Sequence, residues 1–281
     1  MNRKLLSFYG LKWNPFSPEL PDEALHVSAE LDRFRWRVEQ SLVKDGGFAL
    51  IVGESGLGKS VALRTIAQRM ERIPNLRVGA VAHPQSNLID FYLELGELFG
   101  VALKAGSRWS GFKSLRERWL AHIESSSMRA LLLIDEAQEM SVAALNELRL
   151  MTSARFDSKL LLSVILCGDR RLLEMLQREE LIPLGSRIRL RLPLEALTPA
   201  QLREKLDHLL ETAGAPMLMS PELKALLCDH ALGNCRVLVN IAAELLAHAA
   251  QHEITTLDEK LYFDLYRERA SKATTKPKSA R

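Results

Sequence analysis

No stretch of this chain is apolar for the roughly 18–20 residues that crossing a bilayer requires, so nothing in it reads as a membrane span. Cysteine is scarce. Cys167, Cys228 and Cys235 are odd in number and lack CxxC spacing, which argues against a disulfide framework or a thiolate metal site and for a reducing cytoplasm. The opening MNRKLLSFYGLKWNPF has a basic pair but then prolines and aromatics in place of a long apolar region, so it is not read as a signal peptide. A dominant charge is lacking too, with 38 Lys and Arg against 35 Asp and Glu and a formal net charge of +3. Internal repeats and low-complexity segments are not visible. What remains is an ordinary globular composition, 47% apolar and 26% charged, in 281 residues that suffice for one large domain or a core with a smaller satellite.

The distribution of charge says more than its sum. From Arg267 onward there are six cations (Arg267, Arg269, Lys272, Lys276, Lys278 and Arg281) against Glu268 alone, which leaves the rest of the chain slightly acidic. Residues 270–281 are expected as a basic, solvated tail, with a phosphate-contacting arm as the alternative.

Strand and helix signals alternate through the first two thirds. Residues 1–28, punctuated by Pro15, Pro18 and Pro21, are expected to lie extended over the core. Leu31, Phe34, Val38 and Leu42 predict a helix over 29–44, ended by Gly46 and Gly47. FALIVG (48–53) predicts a buried strand running into a glycine loop and a helix over 60–72. Further strands are expected at 76–82, 130–135 and 160–168, with helices at 88–99, 111–125 and 142–152. Continuous apolar strands alternating with helices imply a parallel sheet covered on both faces. Past residue 195 the strand signals stop, and helices are expected at 199–214, 221–232, 236–252 and 258–269. The organisation expected is an α/β core over 1–195, lead-in included, a helical domain over 196–269, and the tail.

The strongest chemical signal is GESGLGKS, which fits GxxxxGK[ST] and sits between a buried strand and a helix. Its glycines allow backbone N–H groups to turn inward onto phosphate oxygens, and the following helix adds its positive end. The triphosphate is therefore expected against Gly53, Glu54, Ser55, Gly56, Leu57, Gly58, Lys59, Ser60 and Val61. Lys59 should reach the β- and γ-phosphates, and the Ser60 hydroxyl should ligate Mg²⁺. The second signal is LLLIDE (131–136). Asp135, ending a buried strand, would hold the magnesium through water, and Glu136 would polarise the attacking water, so hydrolysis of ATP is favoured over a kinase reaction. A solubilising acidic cap is the alternative for that pair.

Three weaker candidates follow. Asp169, just past a strand end, is placed to contact the γ-phosphate or the lytic water, unless Gly168–Asp169 is only a turn. Arg187, in LGSRIRLRL, is a candidate finger toward a neighbouring subunit's ATP. Its alternation with Arg189 and Arg191 also suits an edge strand. Arg236, in GNCR, would touch nucleotide or simply open a helix. His83 and His230 have no partners at metal spacing and are read as structural. Trp109 and Trp119 flank Arg108, Lys113, Arg116 and Arg118, which suits either a nucleic-acid face or amphipathic packing.

With the P-loop, LLLIDE, Asp169, Arg187 and GNCR in this order, the chain resembles an AAA+ ATPase. The lead-in FYGLKWNPFSPE (8–19) is similar to the opening of the ExeA/GspA group. Within it, GFALIVGESGLGKS, HPQSNLIDFYLELGELFG, LLLIDEAQEM, LGSRIR and DHALGNCRVL resemble ATPases that accompany DNA transposases, akin to TniB, TnsC, IstB and MuB. The resemblance implies a P-loop α/β core with a C-terminal helical lid. It implies Walker A at Lys59 and Ser60, Walker B at Asp135 and Glu136, sensor 1 at Asp169, a finger at Arg187 and sensor 2 at Arg236. The lead-in around residues 9–16 would help cover the adenine. Two departures stand out: sensor 1 in such proteins is often Asn, Thr or Gln, and Cys235 stands where many relatives have an aromatic residue or proline.

The expectation is thus a cytoplasmic helper that assembles with ATP as a ring or filament on double-stranded DNA, recruits a transposase, and is released by hydrolysis. A secretion-assembly ATPase is the runner-up. Its members carry a membrane span and a wall-binding region after the ATPase domain, and this chain shows neither. An adaptor that binds ATP without turning it over disagrees with Glu136.

Overall fold

The computed structural model describes residues 2–100, 114, 117, 118, 121, 129–154, 159, 160 and 162–274. The chain divides into two units, an α/β unit (Val27–Glu195) and a helical unit made of Met1–His26 with Ala196–Arg281. It begins with α1 (Asn2–Tyr9) and α2 (Ala29–Arg37), the latter continuing through a π-helical segment (Val38–Leu42). Then come β1 (Gly47–Gly53), α3 (Lys59–Met70), β2 (Leu76–Val81), α4 (Leu88–Phe99) and β3 (Arg129–Ile134). The α/β unit closes with α5 (Val142–Met151), β4 (Ser163–Gly168), α6 (Arg170–Leu176) and β5 (Ile188–Leu194). Four helices follow: α7 (Pro199–Thr212), α8 (Pro221–His230), α9 (Cys235–Gln251) and α10 (Glu259–Thr274).

The five strands form one parallel sheet in the order β2-β3-β4-β1-β5. Successive side chains of each inner strand enter opposite cores. Leu50, Leu132, Ile134, Val164 and Leu166 join one apolar cluster, and Ala49, Ile51, Leu131, Leu133, Ile165 and Cys167 join the other. Burial on both faces is why these strands read as unbroken apolar runs instead of alternating ones. The fold is that of the AAA+ P-loop ATPases, a parallel sheet with flanking helices and a helical C-terminal part.

Sequence boundaries shift where local signals compete. The strand expected at 160–168 begins at Ser163, and Lys159–Leu160 instead pairs antiparallel with Ser153–Ala154. Most of the helix expected over 111–125 lies outside the described residues, as do Trp109 and Trp119. The lead-in, expected extended and part of the core, starts as a helix and packs in the helical unit. Its apolar residues decide this: Leu5, Leu6, Tyr9, Leu11, Trp13 and Phe16 join the cluster of Leu206, Leu210 and Leu245. Backbone and side chain both tie it there, with Lys12 N–H donating to Ala213 O at 2.9 Å and Tyr9 Oη–H to Ile254 O at 2.7 Å. At the other end α10 continues to Thr274, past residue 269 where the tail is expected to begin.

Within the helical unit the helix starts are capped as their sequences dictate. Thr198 and Gln201 form a capping box on α7, and Ser220 and Asn234 cap α8 and α9 through their side-chain oxygens.

Candidate functional site

The loop between β1 and α3 brings the main chain round in a left-handed path. Gly56 (φ 86°) and Gly58 (φ 101°) hold conformations that a Cβ would strain. A Cβ at Gly53 would come within 2.8 Å of Leu194, so glycine there lets β1 and β5 approach at the loop's root. Lys59 opens α3 and is buried, its ammonium donating to the carbonyls of Gly53 (2.9 Å) and Glu54 (3.3 Å). These bonds curl the loop around the lysine and hold the charge at the helix's positive end, where only an anion would offset both.

The P-loop and the end of β3 meet. Ser60 Oγ–H donates to Asp135 Oδ2 at 2.7 Å, and the Glu136 backbone N–H donates to Asp135 Oδ1 at 2.9 Å. Glu136 itself is exposed and sits in a left-handed conformation (φ 49°, ψ 41°), a backbone state that non-glycine residues adopt only when their surroundings enforce it. Hydroxyl and carboxylate in contact are hard-oxygen donors, the kind Mg²⁺ takes. Those two residues fit the metal, and Lys59 with the loop amides fits the phosphates. Below Asp135, on β4, Cys167 is fully buried. Burial first, and then the negative charge of Asp135, pushes its thiol well above the ordinary range, so it remains a neutral neighbour of the acid.

Asp169 is brought to the same end of the sheet, but its carboxylate is engaged locally. It caps α6 by accepting from Arg171 N–H (2.8 Å), and it pairs with the Arg171 guanidinium at 2.9 Å. Burial alone would push this carboxyl up; the hydrogen bonds and charge of Arg171, with the more distant Lys59, outweigh it and hold it below its usual value. Arg171 also reaches Glu139 at 2.9 Å, which links the β4 end to the loop after β3. Arg187 donates to Pro183 O at 2.6 Å in the turn before β5. Arg189 and Arg191 alternate with buried Leu190 and Leu192 along that edge strand, and Arg189 lies 3.8 Å from Asp45. Arg236 belongs to the helical unit, exposed in the first turn of α9, its backbone N–H bonded to Asn234 Oδ1.

One residue of this centre escapes sequence reasoning. Gln138, two positions past Glu136, is buried; its amide donates to Glu136 Oε2 and accepts from the Asp169 backbone N–H at 3.2 Å. The signal available was a glutamine inside LLLIDEAQEM, with nothing local to show that its partner lay 31 positions on.

Residues 42–176 match the family described as an AAA domain. The chain is 28% identical over 242 residues to the general secretion pathway protein A of Aeromonas hydrophila. That match takes in 80% of this chain and 44% of the other, so the chain spans less than half the length of that curated relative. Its fold is similar to Cdc6p from Pyrobaculum aerophilum (TM-score 0.71, 16% identity, 86% of this chain and 67% of that one). It is similar also to Aeropyrum pernix ORC1, solved in complex with DNA (0.67, 19%, 94% and 72%). A third likeness is to the RuvB Holliday junction branch migration motor of Thermotoga maritima (0.55, 16%, 89% and 71%).

Proposed function

We propose that this chain, built on the AAA+ P-loop ATPase fold, binds ATP with Mg²⁺, hydrolyses it, and uses the bound state to assemble on duplex DNA as a helper of a transposase. The observation that carries the ATPase reading is the 2.7 Å contact between Ser60 and Asp135, which brings two motifs 75 positions apart together and supports their sharing one metal. Lys59 and the loop amides would bind the triphosphate and neutralise its oxygens, while Ser60 and Asp135 hold the metal. Bound Mg²⁺ would offset charge developing on the β- and γ-oxygens. Glu136 would orient a water whose oxygen bonds to the γ-phosphorus as the bond to the β–γ bridging oxygen breaks. The released electron pair stays on ADP, and the water's proton passes by way of Glu136 to phosphate.

Arg187 is assigned as the finger toward a neighbouring subunit, Arg236 as the lid's nucleotide contact, and Asp169 as sensor 1. Assembly in a homo-oligomer follows from the finger. Duplex DNA as partner is supported by the likeness to transposase-associated ATPases in the quoted phrases and by a structural neighbour solved with DNA. A second reading, an ATPase of secretion-apparatus assembly, is favoured by the match to the Aeromonas protein. Among the described residues no helix is long and apolar enough to cross a membrane.

A filter-binding titration of duplex DNA with ATP, ADP or no nucleotide, at two salt concentrations, separates the two. The helper reading expects tight binding with ATP alone, weakened by salt because phosphate contacts release counterions, and lost in Lys59→Ala. DNA binding that ignores nucleotide, or none at all, rejects it. Calorimetry that detects no ATP uptake rejects the ATPase reading beneath it.

A further inference from the structure

We infer that Gln138 is the positioning residue for Glu136: its side-chain amide ties the water-orienting carboxylate to the end of β4, so that Glu136 and the Asp169 turn are held as one piece. The inference rests on the ATPase reading above and adds a residue to it.

Both ends of the amide are committed. Nε2–H donates to Glu136 Oε2, and Oε1 accepts from Asp169 N–H at 3.2 Å. Gln138 is 8% exposed, whereas Glu136 is exposed, so the bond joins a desolvated amide to a carboxylate that faces solvent. The backbone beside it is shaped for the purpose. A Cβ on Gly168 would overlap Gln138 Oε1 and fall within 2.9 Å of Leu172 Cδ2, so only glycine lets the amide lie against the strand end. Glu136 turns left-handed, and Glu139 N–H closes back on its carbonyl at 2.9 Å. That turn carries Gln138 beneath the carboxylate it serves. With Oε2 tied, Oε1 is the oxygen left for a water. A glutamate side chain has three rotatable bonds, and fixing them in advance spares the reaction that ordering. The second tie, Arg171 between Glu139 and Asp169, is more exposed and does not touch Glu136.

Two variants test this, with kcat, KM for ATP and fluorescent-nucleotide affinity measured on the full chain. Gln138→Met keeps the length and bulk but has no N–H. It should lower kcat about 10- to 100-fold while nucleotide affinity and thermal midpoint stay near those of the wild type. Equal losses of affinity and turnover would mark a merely structural role and overturn the inference, as would a wild-type kcat. Gln138→Glu covers the case in which the methionine variant fails to fold. Its carboxyl can donate to Glu136 only when protonated, and ionised it repels the neighbouring acid. Its kcat relative to wild type should therefore fall as pH rises from about 5.5 to 8. A ratio that does not change with pH overturns the assignment. Absence of turnover in the wild-type chain would sink the hydrolysis reading and this inference together; turnover that Gln138→Met keeps in full sinks the inference alone.

Discussion

The two units use polar side chains differently. In the helical unit most of them act locally: Thr198, Ser220 and Asn234 each accept from a backbone N–H three positions on, which starts a helix. In the α/β unit the ends of the strands exchange polar contacts across the chain, Ser60 with Asp135 and Gln138 with the Asp169 turn. The first kind of contact helps specify where elements begin. The second brings charge and hydroxyl to a point that no single element could build. A reaction centre belongs where the second kind concentrates, and the glycines at 53, 56, 58 and 168 mark the places where backbone gives way to it.

The comparison breaks most visibly at Glu136. Glu136→Gln should lower ATP turnover about a thousandfold, roughly 4 kcal/mol of transition-state stabilisation, and leave nucleotide affinity intact. The trapped ATP-bound chain should elute as a larger species in size-exclusion chromatography. Leu206→Ala strikes the other unit. Leu206 is fully buried on α7, and truncation should cost about 3 kcal/mol, read as an earlier urea transition with kcat at low urea close to wild type. If that variant loses turnover as severely as Glu136→Gln, the contrast between the units fails. Tyr9→Phe sharpens the same contrast. It removes the bond to Ile254 O and should cost about 1 kcal/mol in the helical unit's transition, with ATP affinity unchanged.

Legibility follows the same division. The strands at β1 and β3 were readable because both faces are buried, which leaves no ambiguity of period, and the P-loop was readable because its glycines and lysine are contiguous. The pairing of Ser60 with Asp135 could be anticipated from two motifs of known chemistry. Gln138 could not, because its contact is with a backbone group just past the end of another strand. The lead-in departs from expectation for a different reason. Three prolines after residue 14 read as extended chain, and they do keep most of that stretch from being helical. The eight residues of α1 ahead of them carry too short an apolar pattern to declare a helix until Leu206 and Leu210 are there to receive it. The place of Asp169 at a strand end suits a contact to the γ-phosphate or the lytic water, or only a turn, and the family resemblance implies sensor 1. The arginine two positions later was visible throughout and pointed equally to a local ion pair.

That last ambiguity yields the smallest of the predicted effects and a clean one. Because Arg171 holds the Asp169 carboxyl below its unfolded value, ionised Asp169 stabilises the fold at pH values above the unfolded carboxylate pKa of about 3.9. That contribution drains away as pH falls through the depressed folded value. Arg171 is 62% exposed, so solvent screening keeps the gain small. Asp169→Asn retains an oxygen to cap α6 and loses the charge and the second acceptor that Arg171 uses. Its urea midpoint should trail the wild type slightly at pH 7 and converge with it as pH falls through the depressed folded value. Turnover divides the two readings of the residue. If Asp169 acts only through Arg171, kcat at pH 7 should survive the substitution within about twofold. A loss of tenfold or more, with the small stability difference unaltered, would return Asp169 to the γ-phosphate and make Arg171 the group that releases it.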